Sequence, residues 1–136
     1  MPAPFVHRFR VRYHECDAQG IVFNANWLTY FDVTLTEWFR EVFGSYDALI
    51  EAGSDVVLAE TTVRYRGSAR FDDELAVSVE IERFGNTSMV AAFTARRGEE
   101  VLVEGRTVYV WVDTTTLAKR QIPADARDKL APYVTA

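Results

Sequence analysis

The first hydrophobic pattern along the chain alternates with a period of two. Apolar or aromatic side chains, with one histidine, fall on one side between residues 5 and 13: Phe5, His7, Phe9, Val11 and Tyr13. The other side carries a valine and then arginines. This alternation predicts a half-buried strand, in which His7 belongs to the core rather than to a ligand site. The pattern stops over residues 14–20, which are therefore expected to form a loop.

Between residues 26 and 43 the apolar spacing becomes that of an α-helix. One stripe repeats every three or four residues and a second row lies beside it: Trp27, Phe31, Leu35, Trp38 and Val42, then Leu28, Phe39 and Phe43. Such a wide apolar face predicts a long helix that is mostly buried. Asn24 or Asn26 is expected to cap its start, and Gly44 its end. A short second helix is expected at about residues 46–52.

Four later segments are dense in β-branched and aromatic residues and predict strands: residues 56–65, 75–84, 88–97 and 101–112. Gly85-Asn86 and Gly98-Glu99 separate the last three, as in tight hairpins. Pro123 suits the first turn of a closing helix that ends near residue 130. The order predicts one strand, a long helix and a four-strand antiparallel meander. We therefore expect one α+β domain over residues 1–136, with a curved sheet of about five strands wrapped around the helix.

Composition and charge exclude several classes of function. The 136-residue chain has a net charge of -5 with acidic and basic residues interleaved, which disfavours nucleic-acid binding. No stretch approaches the ~20 apolar residues that cross a bilayer, and the N-terminus lacks a signal-peptide pattern, so membrane insertion is not expected. The single cysteine, Cys16, excludes an intrachain disulfide and fits a cytoplasmic protein. Two histidines without clustered ligand spacing predict no metal site.

One loop carboxylate is the main candidate for chemistry. Residues 11–31 read VRYHECDAQGIVFNANWLTYF, which places Asp17 in a loop ahead of Gly20 and the long helix. The simplest interpretation is a turn former, because aspartate is common in loops. The alternative is a reactive carboxylate. Free N–H groups at the helix N-terminus could hold an oxyanion while the carboxylate, or a water that it activates, attacks a carbonyl. A thioester suits such a site, because a thiolate leaves with little assistance.

Two short motifs at compatible spacing carry a resemblance to a known family. The first comprises Tyr13, Asp17, Gly20, Ile21-Val22 and Asn26-Trp27, followed by the aromatic helix. The second is ARFDDEL at residues 69–75, which leads into a strand. Together with the order of elements, these motifs resemble the 4-hydroxybenzoyl-CoA thioesterase group of hotdog proteins, including the YbgC-like acyl-CoA thioesterases. The resemblance covers nearly the whole chain.

The resemblance implies a hotdog fold and hydrolysis of an acyl-CoA to a free acid and coenzyme A. No cofactor is expected, since coenzyme A is part of the substrate. Asp17 matches the relatives' catalytic aspartate, as nucleophile or general base, and the backbone N–H of Asn24 is expected to polarise the thioester carbonyl. Gly20 and Val22, in the same motif, are expected to border the substrate. Relatives also pair sheets edge to edge, so a homodimer or homotetramer is expected.

The resemblance is incomplete at one site residue. Many YbgC-like relatives carry a histidine at the position of Asn24, and the 4-hydroxybenzoyl enzyme carries a tyrosine. A backbone N–H at this position is unaffected by the change. A side-chain acid or base there would be missing from this chain.

Charged residues outside the motifs leave alternatives open. Asp32 falls within the aromatic helix, where it is expected either to reach solvent or to hydrogen-bond in an acyl pocket, because an unpaired buried carboxylate is costly. Arg64 and Arg66 share one side of a strand and either face solvent or bind the phosphates of coenzyme A. Another hotdog thioesterase subgroup uses a carboxylate on the long helix. Because Asp17 is present, Glu37 is expected to be a surface or ion-paired residue.

Other functions remain alternatives. A thioesterase for acyl groups on a carrier protein would use the same loop, whereas a non-catalytic acyl-CoA binding module would not need Asp17. A hydratase or dehydratase is disfavoured, because its site pairs a histidine with a carboxylate and neither His7 nor His14 is well placed. A Cys16 nucleophile with His14 lacks an orienting third group, so Cys16 is expected to be structural.

Overall fold

The computed structural model describes residues 4–135, which form an antiparallel sheet packed against a long helix. The strands are β1 (Phe5–Arg10), β2 (Ser54–Tyr65), β3 (Glu74–Phe84), β4 (Ser88–Arg97) and β5 (Glu100–Asp113). The helices are α1 (Asn26–Phe43), α2 (Tyr46–Glu51) and α3 (Ala124–Leu130), with 3-10 turns at Tyr13–Glu15 and Ala131–Tyr133. The predicted α+β class and the sheet of five strands are confirmed. Among these residues, no helix is both long enough and apolar enough to cross a membrane.

The apolar face of α1 lies on the sheet, as its spacing predicts. Its buried residues are Trp27, Tyr30, Phe31, Thr34, Leu35, Trp38 and Phe39. Phe31 stacks on Phe93 of β4, with ring centroids 4.9 Å apart. Gly105 of β5 lies so close that a Cβ on it would be 2.5 Å from Cε2 of Phe31. The helix therefore approaches the sheet over a residue without a side chain, and this packing fixes where the N-terminal end of α1 lies. Leu28 of the second predicted row is instead 43% exposed.

The order of strands in the sheet is β1-β3-β4-β5-β2. The predicted four-strand meander was therefore wrong in placing β2 next to β3. The hairpins at Gly85 and Gly98 do join β3, β4 and β5 as expected. The strand β1 pairs with β3, for example Phe9 with Leu75, and thereby occupies the edge that a meander would give to β2. The strand β2 pairs with β5 on the other side. The sheet consequently has β1 and β2 at its two edges.

The curvature of the sheet has a local cause. The register shifts once in each of three strand pairs, between Leu58 and Glu60, between Ile81 and Arg83, and between Ala95 and Arg96. Such bulges increase the local twist and bend the bulged strand. The bent sheet can then cover the wide face of α1.

Both ends of the segment that precedes α1 differ from the prediction. The strand β1 stops at Arg10, three residues before the predicted end. Val11 still bonds the segment before β3, donating its N–H to the carbonyl oxygen of Asp73 (3.0 Å), and the 3-10 turn at Tyr13–Glu15 then ends the extended chain. The N-cap of α1 is Ala25, without a side-chain cap. The Asn26 side chain is used elsewhere: its Nδ2 donates to the carbonyl oxygen of Glu15 (2.8 Å). The predicted C-cap is confirmed, since Gly44 has a positive φ of 87°.

Candidate active site

Asp17 lies at the tip of a tight hairpin that precedes α1. Its N–H donates to the carbonyl oxygen of Ile21 (2.8 Å), and its carbonyl oxygen accepts from Gly20 N–H (2.9 Å). Below the tip, Cys16 and Val22 pair as an isolated antiparallel bridge. Gly20 closes the turn with a φ of 76°, a backbone conformation that residues with a Cβ rarely adopt. The backbone of residues 16–22 thus holds Asp17 in one place.

The Asp17 side chain makes few contacts of its own. Oδ1 accepts from Gln19 N–H (2.8 Å), which is an Asx turn, and the side chain is half-buried. Among residues 4–135, no second hydrogen bond reaches this carboxylate. The other oxygen therefore has its lone pairs available for a substrate carbon or a water.

The second strand of the hairpin runs directly into the start of α1. Asn26 N–H donates back to the carbonyl oxygen of Phe23 (2.9 Å), and Leu28 N–H to that of Ala25 (3.2 Å). The N–H groups of Asn24 and Ala25 have no acceptor within the described residues. Free N–H groups at a helix N-terminus, together with the helix dipole, favour a developing negative charge. This end of α1 can therefore serve as an oxyanion site.

Tyr65 of β2 holds the same segment from the sheet, and sequence reasoning missed it. Its hydroxyl donates to the carbonyl oxygen of Asn24 (3.0 Å), while its ring is 52% exposed. Alternation along β2 places Tyr65 on the face that carries α1, but the contact with a residue 41 positions earlier leaves no mark in the sequence. The hydrogen bond orients the peptide unit next to the free Asn24 N–H.

A buried carboxylate two residues before Asp17 was also missed. The Glu15 side chain is 9% exposed and accepts from the Arg12 guanidinium (2.8 Å) and from the Tyr30 hydroxyl (3.0 Å). Burial, the largest influence, raises the pKa of Glu15, but the hydrogen bonds from Arg12 and Tyr30 outweigh it. The pKa of Glu15 therefore lies below its ordinary value of 4.5. Burial and the Glu15 charge both raise the pKa of Tyr30. In the sequence, the i,i+3 spacing of Arg12 and Glu15 was the available sign.

The remaining motif residues have different surroundings. Gly20 is exposed, and its nearest non-local side chain is that of Arg70. Val22 is 3% exposed, and its N–H donates to the carbonyl oxygen of Ala69 (2.8 Å). Asp32 is exposed on α1. Burial raises the pKa of Tyr109, and the negative charge of Asp32 raises it further.

Arg64 and Arg66 lie on the other face of the sheet. Because Tyr65 points toward α1, Arg64 before it in β2 points away from α1, and Arg66, just after the end of β2, lines the same groove as Arg64. Arg66 forms an ion pair with Glu104. These residues line a shallow groove of about 290 Å³, together with Glu82 and Arg106. Within one chain, the two arginines thus lie on the face of the sheet opposite α1, whereas Asp17 lies in the hairpin that precedes α1.

Three residues that were not predicted to be catalytic make contacts within the fold. Glu37 pairs with Arg40 (3.3 Å), which confirms the prediction of a surface or ion-paired residue. His7 is half-buried and stacks on Phe9 with ring centroids 5.5 Å apart. Cys16 is half-buried in the hairpin bridge. Across residues 4–135, no cluster of three or more His, Cys, Asp or Glu side chains is arranged to hold a metal ion.

The sheet order, the central helix and the hairpin at its N-terminus define a hotdog-fold protein. Comparison with known proteins agrees: the profile of the thioesterase superfamily matches residues 19–104. The acyl-CoA thioester hydrolase YbgC of Escherichia coli O6:H1 is 31% identical over 115 residues, covering 84% of this chain and 86% of that protein. This chain therefore belongs to the thioesterase superfamily. The matched profile begins two residues after Asp17, so membership does not depend on that residue.

Solved structures show the same fold. A hypothetical protein from Aquifex aeolicus superposes with a TM-score of 0.88 at 25% identity, covering 93% of this chain and 99% of that one. A 1,4-dihydroxy-2-naphthoyl-CoA thioesterase from Synechocystis superposes with a TM-score of 0.84 at 16% identity, covering 95% and 96%. At that low identity the likeness extends to the fold alone.

Proposed function

We propose that this chain hydrolyses acyl-CoA thioesters to a free carboxylic acid and coenzyme A. The observation that carries the proposal is the Asp17 carboxylate, held at the tip of a hairpin whose second strand runs into the free N–H groups at the start of α1. The relationship to proteins named acyl-CoA thioester hydrolases supports this substrate class. The proposed compartment is the cytoplasm, where the lone thiol of Cys16 stays reduced.

The chemistry needs two contributions from this site. The Asn24 N–H donates a hydrogen bond to the thioester oxygen and stabilises the negative charge that develops there. The Asp17 carboxylate either attacks the carbonyl carbon, forming an anhydride that water then cleaves, or removes a proton from a water that attacks in its place. On both routes the C–S bond breaks and the coenzyme A thiolate leaves. The reaction consumes one water and requires no cofactor.

A panel of acyl-CoA substrates tests the activity itself. Short, long, branched and aromatic acyl-CoAs are incubated with the chain, and free thiol and free acid are measured together. We expect the two products in equal amounts for at least one acyl class. The same acyl group on a carrier protein, assayed in parallel, distinguishes a carrier-protein thioesterase. An absence of thiol release from every thioester would contradict the proposal and favour a binding module.

We propose that arginines bind the coenzyme A phosphates in an oligomer of this chain. Arg64 is the better candidate, because Arg66 is already paired with Glu104, whereas Arg64 has no ionic partner within residues 4–135. The test compares acyl-CoA with an acyl-pantetheine that lacks the phosphates. Arg64→Ala is expected to raise KM for acyl-CoA only. An equal rise for both substrates would contradict a phosphate contact.

The edge of the sheet supports the proposed homodimer. Val57 and Leu58 of the edge strand β2 are 43% and 53% exposed. An exposed apolar edge strand is prone to pair with another chain, and a second copy of β2 would cover both residues. We propose at least a homodimer formed across β2, with dimers associating further into a homotetramer. In such an assembly, Arg64 of one copy can approach the Asp17 hairpin of another.

A further inference from the structure

The carboxylate of Glu15 joins the segment after β1 to α1. Oε1 accepts from Arg12 N–H (2.7 Å) and from the Tyr30 hydroxyl (3.0 Å), and Oε2 accepts from Nε (3.1 Å) and Nη2 (2.8 Å) of the Arg12 guanidinium. Arg12 belongs to the segment after β1, and Tyr30 is a buried residue of α1. A buried charge with this many donors has lost its hydration but is fully compensated. The carboxylate therefore fixes the first strand of the hairpin to α1.

The backbone of the same residue holds the second strand. The Glu15 carbonyl oxygen accepts from Phe23 N–H (3.0 Å) and from Asn26 Nδ2 (2.8 Å). Phe23 immediately precedes Asn24, and Asn26 is the first residue of α1. Glu15 is thus tied to both sides of the proposed oxyanion site and lies two residues from Asp17.

We infer that Glu15 is a positioning residue that sets the Asp17 carboxylate relative to the Asn24 N–H. The inference rests on the proposed hydrolysis. Within residues 4–135, the Asp17 side chain has a single hydrogen bond, which it accepts from Gln19 N–H on the same turn, so its position follows that of the hairpin. The hairpin is in turn held to α1 through Glu15. A misplacement of about 1 Å between reacting groups can lower a rate by about 100-fold.

The test uses two variants that loosen this connection and one matched control. Glu15→Gln removes the charge but preserves the shape, and Tyr30→Phe removes a single hydrogen bond to Glu15. The control is Tyr46→Phe, because the Tyr46 hydroxyl also donates to a carboxylate, that of Asp55, at the other end of α1. Each protein is assayed well below its own melting temperature for kcat, KM and the pH dependence of kcat. Deuterium exchange at the amides of Asp17, Gly20 and Phe23 is measured in parallel.

The inference predicts a loss confined to kcat. Glu15→Gln lowers kcat by about 10- to 100-fold and leaves KM within about twofold, since the binding surface is unchanged. Tyr30→Phe lowers kcat by about two- to tenfold, and Tyr46→Phe leaves it unchanged. The pH profile of Glu15→Gln keeps its shape at a lower plateau, because Glu15 transfers no proton to the substrate. Exchange at the three hairpin amides accelerates in Glu15→Gln and Tyr30→Phe but not in Tyr46→Phe.

Each contrary result overturns the inference. Unchanged kcat and exchange in Glu15→Gln would show that the hairpin holds its position without the carboxylate. A loss seen only in KM would assign Glu15 to substrate binding, and a missing limb of the pH profile would make it an acid or base. An equal loss of kcat in Tyr46→Phe would show that the losses in the other two variants come from general destabilisation and not from the position of the hairpin. The exchange rates are measured without substrate, so a failure of the proposed hydrolysis would appear separately, as an inactive wild type.

Discussion

The contribution of Asn24 can be tested by removing its backbone N–H without disturbing its neighbours. Asn24 is the second residue of the turn closed by Asn26 N–H and the carbonyl oxygen of Phe23. Proline is favoured at the second position of such a turn, because its ring fixes a φ that this position adopts. Because the Asn24 N–H has no acceptor within the described residues, Asn24→Pro breaks no internal hydrogen bond. We therefore expect this variant to fold.

The expected loss of activity follows from the value of one donor in an oxyanion site. Such a donor is worth ~3 kcal/mol in the transition state, which corresponds to about a 150-fold lower kcat. Asn24→Ala keeps the N–H. The Asn24 side chain is exposed, and the N-cap of α1 is Ala25, so neither activity nor stability should change by more than about twofold or a few tenths of a kcal/mol.

Thiol release at saturating acyl-CoA measures kcat for the wild type and both variants. Thermal unfolding followed by circular dichroism provides the control, with melting temperatures expected within about 4 °C of one another. A folded Asn24→Pro protein that retains half of the wild-type kcat would refute the backbone role. An Asn24→Ala protein as inactive as Asn24→Pro would make the side chain the working group instead.

Three further predictions concern stability and assembly. Gly105→Ala is expected to destabilise the fold by about 1–3 kcal/mol, because the new Cβ would displace the buried Phe31 ring; an unchanged urea midpoint would show that the ring moves freely. Because the pKa of Glu15 is lower in the folded chain, the unfolded chain takes up this proton first as the pH falls. The stabilisation is therefore present above about pH 4.5 and is lost as the pH falls through the folded pKa. The decrease in unfolding free energy between pH 7 and pH 3 should be smaller in Glu15→Gln than in the wild type, and equal decreases would refute this linkage. Light scattering at micromolar concentration should show at least a dimer for the wild type and a smaller species for Leu58→Glu; a fully active wild-type monomer would contradict the proposed assembly.

The parts of the fold that depend on local spacing could be predicted from the sequence. The helix α1 covers residues 26–43 and β4 covers residues 88–97, as predicted. Each of them buries apolar residues, and the spacing of those residues along the segment indicates its type and bounds. The partner of β2 could not be predicted in this way. The pairing of β2 depends on a strand that is distant in sequence: β1 pairs with β3 and so occupies the edge that β2 would otherwise take, and no local pattern in β2 shows this.

The candidate site also contains residues that could be predicted from the sequence and residues that could not. Asp17 is recognisable because the motif around it is contiguous in sequence. Glu15 is not, because its role depends on Tyr30, a residue that reaches it only when α1 is docked on the sheet. The cap of α1 was mispredicted for a related reason: the Asn26 side chain is drawn to the carbonyl oxygen of Glu15, 11 residues earlier, instead of to its own helix.

The central claim is that the Asp17 carboxylate carries out the hydrolysis, and its replacement by an amide tests this most directly. Asp17→Asn keeps the Asx-turn acceptor for Gln19 N–H and nearly the same shape, but removes the nucleophile or base. The control Asp47→Asn makes the same chemical change at an exposed aspartate of α2. Thiol release from the best acyl-CoA should fall by at least about 1,000-fold in Asp17→Asn and stay at the wild-type rate in Asp47→Asn. Wild-type turnover by a folded Asp17→Asn protein would contradict the account.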